Sequence, residues 1–204
     1  MFHKKNINLF LDDYVTSLFK ALGTISKKGL ISASNLIEKT ISANRNIYVC
    51  GNGGSGAIAD HYVVDFTKQL SKYTNFKAKI KSFNSDNYLL SAIANDISYD
   101  EIFTYQASRH MRRGDILILL SSSGNSRNIK SVLRYCNKKK IKTIGFSNFS
   151  GGYLKKNCTI SIHSKIDNYG IGEDINHILM HSLMQHFAVK NINKSKLNNK
   201  KIIL

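Results

Sequence analysis

The chain has 204 residues, enough for one domain or a small pair at roughly 150 residues per domain. Lys and Arg outnumber Asp and Glu by 30 to 13, a formal charge of +17, and 42% hydrophobic residues exclude a disordered chain. There is no Pro, which excludes Pro-rich linkers, and the longest strong apolar run, Ile116–Leu120, is too short to cross the ~30 Å core of a bilayer.

The first 24 residues carry Ile7, Phe10, Leu11, Tyr14, Leu18 and Leu22 at helical spacing, which predicts a helix over 6–24. Asp12 and Asp13 stand where a secretory signal needs an apolar core, so none is expected. A second helix is predicted over 29–44, a strand over 46–50 and a helix over 55–70. A strand follows over 78–83, then helices over 86–94 and 99–111. Arg113-Gly114-Asp115 turns the chain into a strand over 116–120, followed by a helix over 125–139. Strands over 141–146 and 158–162 and a long helix over 171–190 complete the series.

Ile-, Val- and Leu-rich strands alternating with helices predict an α/β fold: a parallel sheet covered on both faces. Ligands of such sheets bind beyond the carboxyl ends of the strands. The two helices before the first strand either pack on their own domain or form a layer against another subunit. Residues 1–190 read as one domain and 191–204 as a basic tail, from KNINKSKLNNKK. Cys50, Cys136 and Cys158 are odd in number, widely spaced and without CxxC, which argues against a disulfide framework and a structural zinc site. A cytoplasmic protein with no membrane partner is expected.

A charge of +17 suggests an anionic partner, nucleic acid first. The chain has no helix-turn-helix signature, zinc-finger spacing or aromatic RNP motif, so nucleic acid is not the expected partner. Two loops point instead to a phosphate. The first strand runs into Gly51-Asn52-Gly53-Gly54-Ser55 and then a helix. Glycines permit close approach of an anion, and the N–H groups of a helix start face it. The third strand runs into Ser121-Ser122-Ser123-Gly124-Asn125-Ser126 and again a helix. Four serines exceed what capping requires. Neither loop is a Walker A or a Rossmann fingerprint, so a small phosphorylated molecule is expected rather than a nucleotide.

CGNGGS followed by a helix bearing His61, then Asn95-Asp96 with Ile102-Phe103, then SSSGNS, resembles the SIS (sugar isomerase) domain, and within it the phosphoheptose isomerases. The resemblance covers about residues 5–190. It implies a three-layer α/β domain with a five-stranded parallel sheet, and N-terminal helices used for oligomerisation. It implies a homotetramer with active sites at subunit interfaces, and conversion of sedoheptulose 7-phosphate to D-glycero-D-manno-heptose 7-phosphate for lipopolysaccharide or capsule. Some members bind zinc. By the same resemblance Ser55, Ser121, Ser123 and Ser126 hold the phosphate, with Ser122 standing where Thr is usual. Asn52, Gly53, Asn95 and Asp96 belong to the substrate site.

Aldose–ketose isomerisation through an enediol needs a base, a group that handles the oxygen protons, and in some enzymes a cation. His61 and Asp65 are four apart and share a helix face. The family commonly has His and Glu there, with the acid as base, and Gln and His at the positions of Glu173 and His181, with the His as second acid–base group. Asp65 and His181 are therefore the expected catalytic pair, and Glu173 a substrate contact. His61, Asp65, Glu173 and His181 can also make a two-His, two-carboxylate zinc site. Eight residues of ideal helix rise ~12 Å, so Glu173 and His181 meet one ion only if the last helix starts irregularly. His177 and His181 fit one ion more easily, but the family has no ligand at the first, and His177 is expected on an exposed or interface face.

Four positions break the family pattern: Asp65 for Glu, Glu173 for Gln, Gln69 (beside Lys68) for Arg, and Gly170 for Asp. All touch the sugar end, while the phosphate loops are nearly intact. Two functions follow: the isomerase, and a non-catalytic SIS protein that binds a phosphosugar or associates with a replication initiator.

Overall fold

A computed structural model describes residues 5–193 and 195. Helices α1 (Ile7–Leu22) and α2 (Lys27–Ser42) come first. Each starts on a polar cap: Asn6 Oδ1 accepts from the N–H of Asn8 and Leu9, and Ser26 Oγ from that of Gly29. The alternating part runs β1 (Asn46–Gly51), α3 (Gly54–Val64), a wide π-helical turn (Asp65–Gln69), α4 (Leu70–Tyr73) and β2 (Lys79–Ser82). It continues through α5 (Asn87–Asp96), a 3-10 turn (Tyr99–Glu101), α6 (Ile102–His110), β3 (Ile116–Leu120) and α7 (Arg127–Lys138). The last elements are β4 (Lys142–Ser147), α8 (Gly152–Asn157), β5 (Ile160–His163) and α9 (Tyr169–Lys190).

The five strands form one parallel sheet in the order β2-β1-β3-β4-β5. This is the predicted fold class, and the period of two in the strands explains it. Ile116, Ile118 and Leu120 face one core with Val49, Phe146, Ala59 and Ile175, under α2, α3 and α9. Leu117 and Leu119 face a second core with Cys50, Phe103, Ile129 and Val132, under α6 and α7. A strand buried on both faces needs no polar alternation, and ILILL has none. The strand order reverses between β1 and β3, which sets a crevice at their carboxyl ends, where both phosphate-like loops emerge.

The structure adds three features to the predicted elements. The helix expected over 55–70 is interrupted by the π-helical turn. The segment expected over 99–111 begins as a 3-10 turn. Helix α8 was not expected at all, since six residues are too few to show a helical period. Most of the basic tail falls outside the described residues. Of those described, Asn193 donates its N–H to the Tyr73 carbonyl.

Candidate active site

The two loops lie side by side and are tied together by a residue that sequence reasoning missed. Asn128, in the first turn of α7, exchanges two hydrogen bonds with Asn52, Asn52 Nδ2 to Asn128 Oδ1 at 2.9 Å and Asn128 Nδ2 to Asn52 Oδ1 at 2.8 Å. Tyr99 donates its hydroxyl to the same Asn52 Oδ1. The Asn52 amide is thus engaged in joining the loops. Two glycines are needed for backbone conformation. Gly53 starts α3 at φ 52°, and Gly124 has φ 65° with its Cα against Gly151, where a Cβ would overlap the Gly151 carbonyl oxygen.

Between the loops is a cavity of about 110 Å³, several times the ~30 Å³ share of one water. Asn52, Ser55, Ser121, Ser122, Ser123 and Ser126 line it, with Tyr169 and Glu173 from the start of α9. Several hydroxyls are free to donate into it. Ser122 Oγ is buried without a partner, Ser126 makes no capping bond to α7, and Ser123 Oγ only accepts, from the Asn125 N–H. No Lys or Arg lines the cavity. Its attraction for an anion comes from hydroxyls and from the N-terminus of α7. Glu173 turns to the other helix: its carboxylate lies where a Cβ on Gly54 would be 2.5 Å from Oε2. It occupies the N-terminus of α3, a favourable place for a negative charge.

The histidines lie elsewhere. α3 and α9 pack together and both run away from the cavity. His61 is seven residues beyond Gly54, roughly 10 Å along α3, and His181 eight beyond Glu173, roughly 12 Å along α9. There His61 Nε2 and His181 Nε2 are 3.0 Å apart, so one ring nitrogen donates to the other. Asp65 Oδ2 is 3.5 Å from His61 Nε2 and 3.2 Å from His181 Nε2. Asp65 is the first residue of the π-helical turn. Such turns add a residue to the helix and re-aim the side chains on it.

His177 joins this group. Its ring stacks on His181 with centroids 4.4 Å apart and meets His61 edge-on at 4.7 Å. Burial first, then the nearby His181 and His61, holds its pKa below the ordinary histidine value, against a weaker pull from Asp65 and Asp174. One ligand nitrogen from each of His61, His177 and His181 lies within 4.8 Å of the others. Two buried atoms here, His177 Nε2 and Asp65 Oδ2, have no hydrogen-bond partner; Asp65 Oδ2 is at ion-pair distance from the imidazoles but off the hydrogen-bonding direction. Leaving a buried polar atom unsatisfied costs about 1–3 kcal/mol. A donor set of three imidazoles and a carboxylate with orphaned atoms fits a divalent metal ion such as zinc.

Helix α9 runs unbroken from Tyr169, so the irregular start required for Glu173 and His181 to share an ion is not found. Asn95 and Asp96 are exposed, at the end of α5, where Asn95 Nδ2 donates to Asp96 Oδ1, and neither lines the serine cavity.

A family model for the SIS domain matches residues 12–148. The chain belongs to the SIS domain family. Among SIS relatives, a phosphoheptose isomerase of Chlorobium limicola is 34% identical over 134 residues, 65% of this chain and 63% of that protein, so the match spans just under two thirds of its length. A phosphoheptose isomerase of Helicobacter pylori is 29% identical over 192 residues, 89% of this chain and 100% of that protein. The solved phosphoheptose isomerase of Francisella tularensis has the same SIS fold, with a TM-score of 0.82 at 21% identity, covering 90% of this chain and 96% of that one. Among the described residues of this SIS chain, no helix is long and apolar enough to cross a membrane.

Sequence reasoning missed Asn128, Tyr99 and Tyr169, and set His177 aside. The only available signal was for His177, which is four residues before His181.

Proposed function

We propose that the protein is a phosphosugar isomerase that interconverts sedoheptulose 7-phosphate and D-glycero-D-manno-heptose 7-phosphate for surface heptose synthesis. The observation that carries this reading is the division of the α3–α9 cleft. A serine-lined cavity suited to phosphate lies at one end, and an Asp–His cluster roughly 10–12 Å along the helices at the other. A chain-like sugar phosphate has the same division, with its phosphate remote from its carbonyl. The names of the relatives at 29–34% identity support the heptose as substrate.

In this reading Ser55, Ser121, Ser122, Ser123 and Ser126 hold the phosphate and fix the register of the sugar. Asp65 takes the proton from the carbon next to the carbonyl, giving the enediol. His181, 3.2 Å from Asp65 Oδ2, moves the proton between the two substrate oxygens. Bound at the cluster, a divalent ion would polarise those oxygens. Asn95 and Asp96 reach the sugar only if substrate or a second subunit brings them to it.

A homo-oligomer, with the tetramer as the expected state, belongs to the same proposal. α1 has two apolar faces. Tyr14, Leu18 and Leu22 pack inward on the first core. Ile7, Leu11, Val15 and Phe19 form a stripe at four-residue spacing that stays exposed, Phe19 by 69%. A cytoplasmic location fits three cysteines that are all free.

The deciding experiment is a product assay on sedoheptulose 7-phosphate with metal content measured on the same sample. Aldose formation is expected; no aldose from zinc-loaded protein would sink the proposal. A non-catalytic regulator would leave the Asp65–His181 pair without a task, and would be favoured only if Asp65→Ala and His181→Ala left surface heptose in the cell unchanged.

A further inference from the structure

We infer that the amino end of the sheet carries a second anion site, which takes a small molecule with two or three linked phosphates, the class of nucleoside di- and triphosphates. The site stands apart from the one described above and does not rest on the isomerase reading. It is a cavity of about 320 Å³ between the end of α2, the turn before β3 and the start of β4. That is roughly three times the serine cavity and within the ~300–1,000 Å³ usual for small-molecule sites.

Lys39, Arg45, Arg113, Lys140 and Lys142 surround it. Among the described residues that line it, Asp115 is the one acid, and its carboxylate is already engaged. Oδ1 accepts from the Asn46 N–H at 2.9 Å and from Asn46 Nδ2 at 3.2 Å, and Oδ2 from the Arg112 N–H at 2.8 Å. The ion pairs of the described residues lie elsewhere, at Asp65, Asp100 and Glu38, so none of the five cations is in one. Helix ends account for two of them, since Lys39 is in the last turn of α2 and Lys140 just past α7. Arg45 and Arg113 sit in loops and Lys142 opens β4. Like charges gathered round one cavity repel each other, and an anion relieves them. Arg45 is also held in place. A Cβ on Gly114, at φ 102°, would be 3.1, 3.4 and 3.5 Å from its Nε, Cδ and Cζ, so the side chain lies over a backbone that only glycine leaves bare. Its planar fork suits phosphate oxygens.

Charge and size choose the class of ligand. One phosphate monoester carries ~1.5–2 negative charges at pH 7 and leaves most of the five cations unmatched, whereas linked phosphates carry about twice that. Leu36, Ala43 and Ile116 give the cavity an apolar side for the organic part. No aromatic residue is among the described lining, so the stacking platform that holds a nucleic-acid strand is missing. Ile116 lines this cavity and Leu120 the serine cavity, at opposite ends of β3 and roughly 13 Å apart, so both can be filled at once.

The test is calorimetric titration of the full-length protein, at fixed ionic strength, with tripolyphosphate, ATP, orthophosphate and a single-stranded RNA oligonucleotide. Tripolyphosphate and ATP are expected to bind one per chain, at least ~10-fold tighter than orthophosphate. Arg45→Gln and Arg113→Gln should each weaken both by ~10-fold, the loss of one charge-assisted contact, while melting like wild type. Lys28→Gln removes the same charge from α2 eleven residues before Lys39 and should change affinity less than ~2-fold. Ser126→Ala, in the serine loop, should leave it unchanged. Equal affinity for orthophosphate and tripolyphosphate, wild-type affinity in both arginine variants, an equal loss in Lys28→Gln, or a ~10-fold loss in Ser126→Ala would each overturn the inference. Tight RNA binding without binding of ATP or tripolyphosphate would also overturn it and give the surface to nucleic acid.

Discussion

Asp65 is one methylene shorter than the Glu that the family resemblance leads one to expect, and it is the residue on which α3 widens into a π-helical turn. The wider turn offers a way to keep the shorter carboxylate in reach, since it shifts the helix surface rather than lengthening the side chain. General acid–base groups contribute typically 10²–10⁴-fold. Asp65→Asn is therefore expected to lower kcat on sedoheptulose 7-phosphate by about that factor, with the melting temperature unchanged. Steady-state kinetics beside a thermal melt would check it; loss of less than tenfold would remove Asp65 from the mechanism. Glu173 gives the opposite expectation. Its carboxylate lines the cavity assigned to phosphate, and a like charge there opposes the ligand. Glu173→Gln should lower the inhibition constant of inorganic phosphate by about tenfold, ~1.4 kcal/mol. Weaker inhibition in the variant would mean that the carboxylate does not face the anion.

The elements that carry the site were largely legible, because each has a local cause. ILILL predicts a buried strand, a Gly-rich or Ser-rich stretch after a strand predicts a turn into a helix, and both occur where expected. What was not legible depends on contacts between elements. The π-helical turn has no sequence pattern of its own, and the Asn52–Asn128 pair joins residues 76 apart. Helix α8 forms because Gly151 and Gly152, at φ 78° and 51°, fold back under the second loop. That packing makes a prediction at this scale. Gly124→Ala places a Cβ into the Gly151 carbonyl at a left-handed backbone position and should cost ~2 kcal/mol or more in urea unfolding. It should also raise KM for the sugar phosphate, because the serine loop must shift. An unchanged unfolding midpoint would show that the two loops are not in contact.

Across the whole molecule, none of the described Lys and Arg residues behind the charge of +17 lines the serine cavity. Lys39, Arg45, Arg113, Lys140 and Lys142 gather at the opposite, amino end of the sheet, where α2 and α7 end. Cations near helix C-termini offset the negative end of the dipole. The exposed α1 stripe leads to a test of assembly: Phe19→Asp should shift the particle mass in light scattering to a smaller species. A mass unaffected by Phe19→Asp would take this face out of the interface. Stability should also respond to pH. His163 has its pKa lowered, first by burial and then by Lys155, against a hydrogen bond from the Ser147 side. A histidine whose folded pKa lies below 6.5 is protonated more readily when unfolded. Its contribution is therefore present above about pH 6.5 and lost as pH falls towards the folded pKa. Urea unfolding between pH 8 and 5 should show a decline that is shallower in His163→Gln; an equal slope in both would assign the decline to other groups.

The sequence by itself determined the alternation of strands and helices, the two anion-ready loops and the family. Each is written in short-range patterns that one stretch of chain can enforce. Tertiary structure decided which groups meet. The separation of Glu173 from His181 follows from an unbroken helix. The recruitment of His177 follows from the packing of α9 against α3, which brings His61 to it across more than a hundred residues. Spacing on one helix can say which side chains share a face, but only the neighbouring helix determines what that face meets.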